Sequence, residues 1–289
     1  MPLNHLAVGA EAPPRHRSWT SFDALLYAIA VGAGADGTDD ELAFTTENSS
    51  GVQQQVLPTF AVLLGGPSLS EFPELGPIDR TAVVHGEQAI TLHSVLPPSG
   101  SCQSRSRLAA IHDKGSGAVV ELVSDATDLE TGQPLFSVRS AAFIKGAGGW
   151  TTDGGAPGPG WTLPDRSADE VRAMPTQANQ ALLYRLCGDR NPLHSDPSFA
   201  RRAGFPRPIL HGLCTFGFVG RALLAGPARG EPRNLRSMSA RFARPVLPGA
   251  VLSVSMWVMA DGEVYFIAAD DSGQVVLDRG VAEVTPPEA

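Results

Sequence analysis

The sequence predicts an α+β chain built from two copies of one unit, each an antiparallel sheet wrapped around a central helix. Three observations carry this. First, phrases recur in a fixed order: Ala24-Leu25-Leu26-Tyr27 with Ala181-Leu182-Leu183-Tyr184, Val56-Leu57-Pro58-Thr59 with Ile209-Leu210-His211-Gly212, and Val95-Leu96-Pro97 with Val246-Leu247-Pro248. Their offsets are 157, 153 and 151 residues, so the order is kept while loops differ, as in a duplicated unit. Second, the stretch GAGGWTTDGGAPGPGWTLP, from Gly146 to Pro164, lacks periodicity and reads as a break between the copies. Third, each copy opens on helical patterning and continues as strand-like runs. The expected division is a first repeat over 1–145, a linker over 146–175 and a second repeat over 176–289.

In the second copy, Thr176 is the expected N-cap of a short helix in QANQALLYRL. An irregular loop follows. Gly212 to Leu224 then shows helical spacing of Leu213, Phe216, Val219 and Leu223. Strands are expected at Met238–Phe242, Val251–Met259, Val264–Ala269 and Val275–Val284, with Asp261-Gly262 and Ser272-Gly273 as hairpin turns. The first copy offers Ala82–His93, Gln103–His112, Ala118–Ser124 and Leu135–Ile144.

The composition is that of a globular protein: 43% hydrophobic residues, mean hydropathy −0.02 and enough length for an ample core. The net charge of −8, without a basic block, argues against nucleic acid or an anionic membrane as partner. Cys102, Cys187 and Cys214 form no CxxC pair and are odd in number, so reduced thiols and a cytoplasmic setting are expected. Met1 to Arg17 has no apolar core like that of a signal peptide, and no apolar run reaches membrane-spanning length. The C-terminal Pro286-Pro287-Glu288-Ala289 carries no retention or peroxisomal signal. Arg far outnumbers Lys (Lys114 and Lys145), a GC-rich coding bias of the kind seen in bacteria such as actinobacteria.

The most informative segment runs from Tyr184 to Gly217. It sets Asp189, Asn191 and His194 within six residues, and Gly212 at the start of the expected central helix. Gly188 ends the preceding helix, and Asn191-Pro192 resists its continuation. A turn therefore crosses from Asp189 to His194 and brings an acid and an imidazole together. With a main-chain donor at Gly212, this suits acid–base chemistry beside a polarised carbonyl and calls for no metal. The first copy lacks the pair: Gly32 and Gly37 stand where Asp189 and His194 would fall, counting from Tyr27. One site per chain follows. The small residues from Gly32 to Gly37 are expected to leave room beside the site for a long or bulky part of its substrate.

The segments Gly188-Asp189-x-Asn191-Pro192-Leu193-His194-x-Asp196-Pro197 and Pro208-Ile209-Leu210-His211-Gly212-Leu213-Cys214-Thr215 resemble the signature of the MaoC-like (R)-specific enoyl-CoA hydratases, the hydratase 2 type. Leu26 to Gly34 and Val56 to Ala61 resemble that family's N-terminal repeat, so the likeness spans about Trp19 to Val284. The resemblance implies a tandem hotdog fold and reversible hydration of a trans-2-enoyl-CoA to the (3R)-3-hydroxyacyl-CoA, in fatty-acid or sterol side-chain metabolism. It implies no metal or redox cofactor, coenzyme A being part of the acyl-CoA thioester substrate. Asp189 and a neutral His194 would hold the water, Asn191 would orient the pair or the water, and the Gly212 amide would meet the thioester oxygen. His211 is expected to shape the helix start on the substrate side, and Arg241 and Arg244 to meet coenzyme A phosphates or simply to line a solvated strand. Arg185 is expected as a structural ion-pair partner, and Asp196 as the N-cap of SFARRAG. Two repeats can form within one chain the pair that single-repeat relatives form between two, and a homodimer is compatible with that.

Other readings are weaker. Gly32-x-Gly34-x-x-Gly37 matches a dinucleotide fingerprint, yet the preceding phrase is helical and TDDELAFTTEN after it is too polar and short for the required helix. His194, Asp196 and His211 imitate an iron-binding facial triad but leave Asp189 unexplained. Cys214, three residues from His211, imitates a nucleophile pair and is set aside. A thioesterase would place a carboxylate on the central helix, and Gly212–Leu224 has none. A dehydratase acting on chains bound to acyl carrier protein, or a non-catalytic acyl-CoA binder, are the alternatives that the dyad leaves to experiment.

Overall fold

The structure, a computed structural model, describes residues 3–151 and 160–286. Residues 152–159 of the expected linker lie outside them. In chain order, strand β1 (Arg15–Trp19) leads to helix α1 (Ser21–Ala30), α2 (Leu42–Thr45) and α3 (Ala61–Gly65). Then come β2 (Val83–Leu92), β3 (Gly100–Asp113), β4 (Gly117–Asp128) and β5 (Pro134–Lys145). The second half repeats this order with β6 (Glu170–Pro175), α4 (Gln180–Tyr184), α5 (Pro197–Arg202), α6 (Gly212–Ala225), β7 (Leu235–Phe242), β8 (Val251–Val258), β9 (Glu263–Ala269) and β10 (Val275–Val284).

The strands form one ten-stranded sheet in the order β1-β3-β4-β5-β2-β7-β10-β9-β8-β6. Each half has the same plan, with its first strand at an outer edge and its second at the middle. The halves join where β2 pairs antiparallel with β7, from Glu87 opposite Arg241 to Thr91 opposite Ser237. This is the tandem hotdog arrangement. The eight strands expected from alternation are present, while β1 and β6 add an edge strand to each half. The stretch 146–175 is therefore not linker throughout: Glu170–Pro175 pair with β8 from Glu170 opposite Met256 to Pro175 opposite Val251.

Helix α6 lies at the centre. Phe216, Phe218, Val219, Ala222 and Leu223 are fully buried on it, and it is buried nearly all round, with Arg221 as its one charged residue. Its glycines admit the other half closely. A Cβ on Gly217 would stand 2.5 Å from Val31 Cγ1, and one on Gly220 would stand 2.4 Å from Thr59 Cγ2. The counterpart α3 spans only 5 residues. Gly65-Gly66-Pro67 ends it, because proline cannot continue the backbone hydrogen bonds and restrains the residue before it.

Helix α1 begins in a capping box. The Thr20 hydroxyl accepts the Asp23 amide, and the Asp23 carboxylate accepts the Thr20 amide at 2.8 Å. The second half differs from expectation here. Thr176 does not cap a helix; its hydroxyl donates to Ala250 O at 2.8 Å and accepts the Gly249 amide at 2.9 Å. That bond ties β6 to the turn before β8, and α4 starts only at Gln180.

The turn at Gly32 follows helix α1 rather than a strand, so the dinucleotide pattern has no phosphate cradle behind it. Nor does the turn open space at its start. A Cβ on Gly32 would fall 2.5 Å from Phe218 Cε1, and Ala33 is buried. Only Gly37 has open space beside it. The small residues there serve close packing against α6, which corrects the expectation of an acyl-tail space at Gly32 and Ala33.

Candidate active site

Helix α4 runs into a single turn over Arg185–Cys187, which Gly188 ends at φ +123°. The next residues build a compact frame. The Asn191 amide donates to Asp189 Oδ1 at 3.1 Å, and Asn191 Oδ1 accepts the Leu193 amide at 3.1 Å, capping the turn Pro192–His194. Asp196 caps α5 by accepting the amides of Ser198 and Phe199, as expected. Asn191 thus spends its carbonyl oxygen on the turn that aims His194.

His194 is buried, and its Nδ1 donates to Ile209 O at 2.9 Å. A carbonyl only accepts, so the proton sits on Nδ1 and Nε2 presents a lone pair. Burial holds the imidazole below its ordinary pKa, partly offset by the Ile209 bond and the Asp189 charge, so the ring is neutral at neutral pH. The His211 ring stacks on it with centroids 3.7 Å apart. His211 donates from Nε2 to the main-chain oxygen of Asp189 at 3.2 Å. Burial first, then the neighbouring His194, lowers the pKa of His211 to about 4. Its Nδ1 is buried without a hydrogen-bond partner among the described residues, as is the Tyr184 hydroxyl beside it.

One donor atom from each of Asp189, His194 and His211 lies within 4.8 Å of the others. A zinc ion about 2.1 Å from each ligand needs donors roughly 3.4 Å apart in a tetrahedron. A water hydrogen-bonded at about 2.8 Å bridges donors up to about 5 Å apart. A separation of up to 4.8 Å thus admits a bridging water.

Gly212 opens α6 with His211 as its N-cap, so its amide is among those that no intrahelical carbonyl can satisfy. The helix dipole makes that end favourable to developing negative charge. A Cβ on Gly212 would press on the Phe242 ring at 3.3 Å, so the glycine lets the ring lie flat against the helix start. Phe242 in turn meets His85, with ring centroids 4.8 Å apart. His85 comes from β2 in the first half, and no motif in the sequence marked it. Its only signal there is a polar ring followed by a glycine within an apolar strand.

The remaining expected residues divide. Arg241 is bidentate to Asp278, at 2.7 and 2.6 Å, and faces Glu87 across the seam. Arg244 donates to the neutral amide oxygen of Gln274. Both line a depression of about 560 Å³ that Phe242 also borders, so it adjoins the helix start. Arg185 pairs with no carboxylate among the described residues, contrary to expectation; its Nε is buried without a partner, and its charge helps keep His211 neutral. The three cysteines are free thiols. Cys214 is buried with its thiol donating toward Ala30 O, and burial pushes its pKa well up, which removes it as a nucleophile.

The tandem hotdog thus gathers an aspartate, a neutral histidine and a second histidine at the start of its central helix, groups suited to acid–base chemistry. The comparisons agree. A profile described as a MaoC like domain matches residues 161–271, and one described as the MFE-2 hydratase 2 N-terminal domain matches 18–146. The 3-hydroxyacyl-thioester dehydratase Y of Mycobacterium tuberculosis is 44% identical over 98% of this chain and 99% of its own. Enoyl-CoA hydratase ChsH3 of the same organism is 39% identical over 99% of this chain and all of its own length, 100%. The crystal structure of a MaoC-like dehydratase from Phytophthora capsici, 29% identical, covers 98% of both chains with a TM-score of 0.86. The chain belongs to the MaoC-like hydratase 2 family. No helix among the described residues is long and apolar enough to cross a membrane.

Proposed function

We propose that the protein hydrates a trans-2-enoyl-CoA reversibly to the (3R)-3-hydroxyacyl-CoA, with Asp189 and His194 as the acid–base pair. The supporting observation is the tautomer of His194: with Nδ1 bound to Ile209 O, its Nε2 is left as an acceptor, and the ring lies close to Asp189 and His211. A water held there gives one proton to the dyad as its oxygen bonds to C3. The dyad returns a proton to C2, so the elements of water are added and none is left over. Negative charge on the thioester oxygen meets the Gly212 amide. Losing one such donor typically costs about 3 kcal/mol in the transition state. Asn191 keeps the turn that holds both groups in place, and His211 holds the Asp189 backbone. No metal enters this scheme.

For the coenzyme A phosphates, Arg244 is the better of the two arginine candidates, because Arg241 is already neutralised by Asp278. The relatives' names support an acyl-thioester substrate, and fatty-acid or sterol side-chain metabolism is the setting we propose. The dehydratase relative is named for 3-hydroxyacyl thioesters without a stated carrier, so dehydration of such chains on an acyl carrier protein is the second reading.

Asp189→Ala and His194→Ala are each expected to lower crotonyl-CoA turnover by at least about two orders of magnitude while the circular dichroism stays native. Near-normal turnover in either would remove the dyad. Chiral analysis should find the (3R) product, and a predominantly (3S) product would overturn the stereochemistry. Prolonged dialysis against a chelator should leave the rate intact; a loss reversed by added zinc or iron would point to a metal instead.

A further inference from the structure

We propose that His85 is a positioning residue of the catalytic centre: it fixes the Phe242 ring against Gly212 and so sets where the thioester oxygen meets the first amide of α6. The proposal rests on Gly212 as the oxyanion donor. It assigns a task at the site to the half that lacks the dyad.

The argument begins in β2. Its register with β5 slips between His85, opposite Ala142, and Glu87, opposite Ala141. Gly86 is the extra residue of this bulge, and a Cβ on it would press on Ala141 O at 3.2 Å. A bulge bends its strand and re-aims the side chains next to it. The pairing of β2 with β7 starts one step later, at Glu87 opposite Arg241, and Phe242 is the last residue of β7. His85 is thereby turned across the seam onto Phe242.

Two further observations make this more than a core contact. The imidazole is tied in place, with Nε2 3.1 Å from Ser140 Oγ on the neighbouring strand. It also lies near enough to Asp189 to feel the carboxylate's charge, though burial dominates and keeps the ring neutral, with its pKa pushed down to about 4. A hydrophobic residue would fill this half-buried position without the cost of partly desolvating a polar ring. A tethered, neutral ring instead fixes a direction. Through Phe242 it reaches Gly212, which the ring approaches so closely that a Cβ there would stand 3.3 Å from it.

The test uses the full chain. In the His85→Ala variant, kcat for crotonyl-CoA should fall by roughly ten- to a hundredfold, less than the loss of a whole donor, with KM changed by less than about threefold. His85→Phe, which keeps a ring against Phe242, should recover part of that loss. Infrared spectra of bound crotonyl-CoA, isotope-labelled at its carbonyl carbon, supply a second readout. They are taken in an Asp189→Asn background to stop turnover. The carbonyl band should lie below its position in water, and adding His85→Ala should move it back toward that position. A folded His85→Ala protein with wild-type kcat and an unmoved band would overturn the proposal. If that variant fails to fold, Ser140→Ala serves, with a several-fold loss of kcat expected and no change overturning it. A band that is unshifted even with His85 present would instead refute Gly212 as the donor.

Discussion

At the scale of single residues, the protonation of the two stacked imidazoles decides when the site works. His194 must be neutral to accept a proton, and burial holds its pKa below the ordinary 6.5. The plateau of kcat/KM should therefore extend below pH 6.5 before an acid limb appears, and an inflection above 6.5 would show that the ring is not the buried neutral one described. Ile209 O is the anchor of that tautomer, and it comes from the main chain, so no side-chain substitution at Ile209 removes it directly. The closeness of Asp189 and His194 was legible in the sequence because both are crowded into one turn whose stop signals, Gly188 and Pro192, are local. His85 was not legible. Its relevance arises from a bulge and from a pairing between distant strands, neither of which leaves a periodic trace. Arg241 shows the opposite error: a lone cation in sequence is a neutralised one in the fold, because β10 brings Asp278 alongside.

Among the elements, α6 carries the greatest constraint. Its apolar spacing announced it, and the glycines within it explain how the other half approaches. Gly220→Ala places a methyl 2.4 Å from Thr59 Cγ2, in a helix where alanine alone would be favoured. Overpacking of this kind costs about 1–3 kcal/mol, against a propensity gain of up to about 1 kcal/mol. The net effect should be a Tm lower by a few degrees, at roughly 2–4 °C per kcal/mol for a chain of this size class. A rise in Tm would mean that Thr59 yields freely. The strands β1 and β6 escaped the sequence reading for a different reason. RHRSW and EVRAMP are short and polar, and they exist as strands because β3 and β8 offer an open ladder. Such edges are chosen by their neighbours, not by their own composition.

For the molecule as a whole, one buried ion pair links the repeats. Arg221 on α6 donates through Nε to Glu41 at 2.7 Å and through a second nitrogen to the same carboxylate, and it also reaches Val31 O. Both side chains are nearly closed off from water, at 10% and 16% exposure. Removing one partner leaves a stranded charge, so Glu41→Ala should destabilise the protein by about 3–5 kcal/mol in urea unfolding. The double variant with Arg221→Met should lose less than the sum of the two single losses; strict additivity would show that the pair is not coupled. Acid acts on the same global balance. His85 and His211 take up protons near 4 in the folded state and near 6.5 when unfolded, so the unfolded state binds more protons in that window. Stability should hold above pH 6.5 and decline as pH falls toward 4, and a Tm unchanged between pH 7 and 5 would contradict it. The two outer rims of the sheet have a consequence of their own. Arg15, His16 and Arg17 occupy one rim, and Glu170, Arg172 and Pro175 the other. Charge and proline on an unpaired ladder repel a further strand, so the protein is guarded against fibrous self-association even though its sheet is long and never closes.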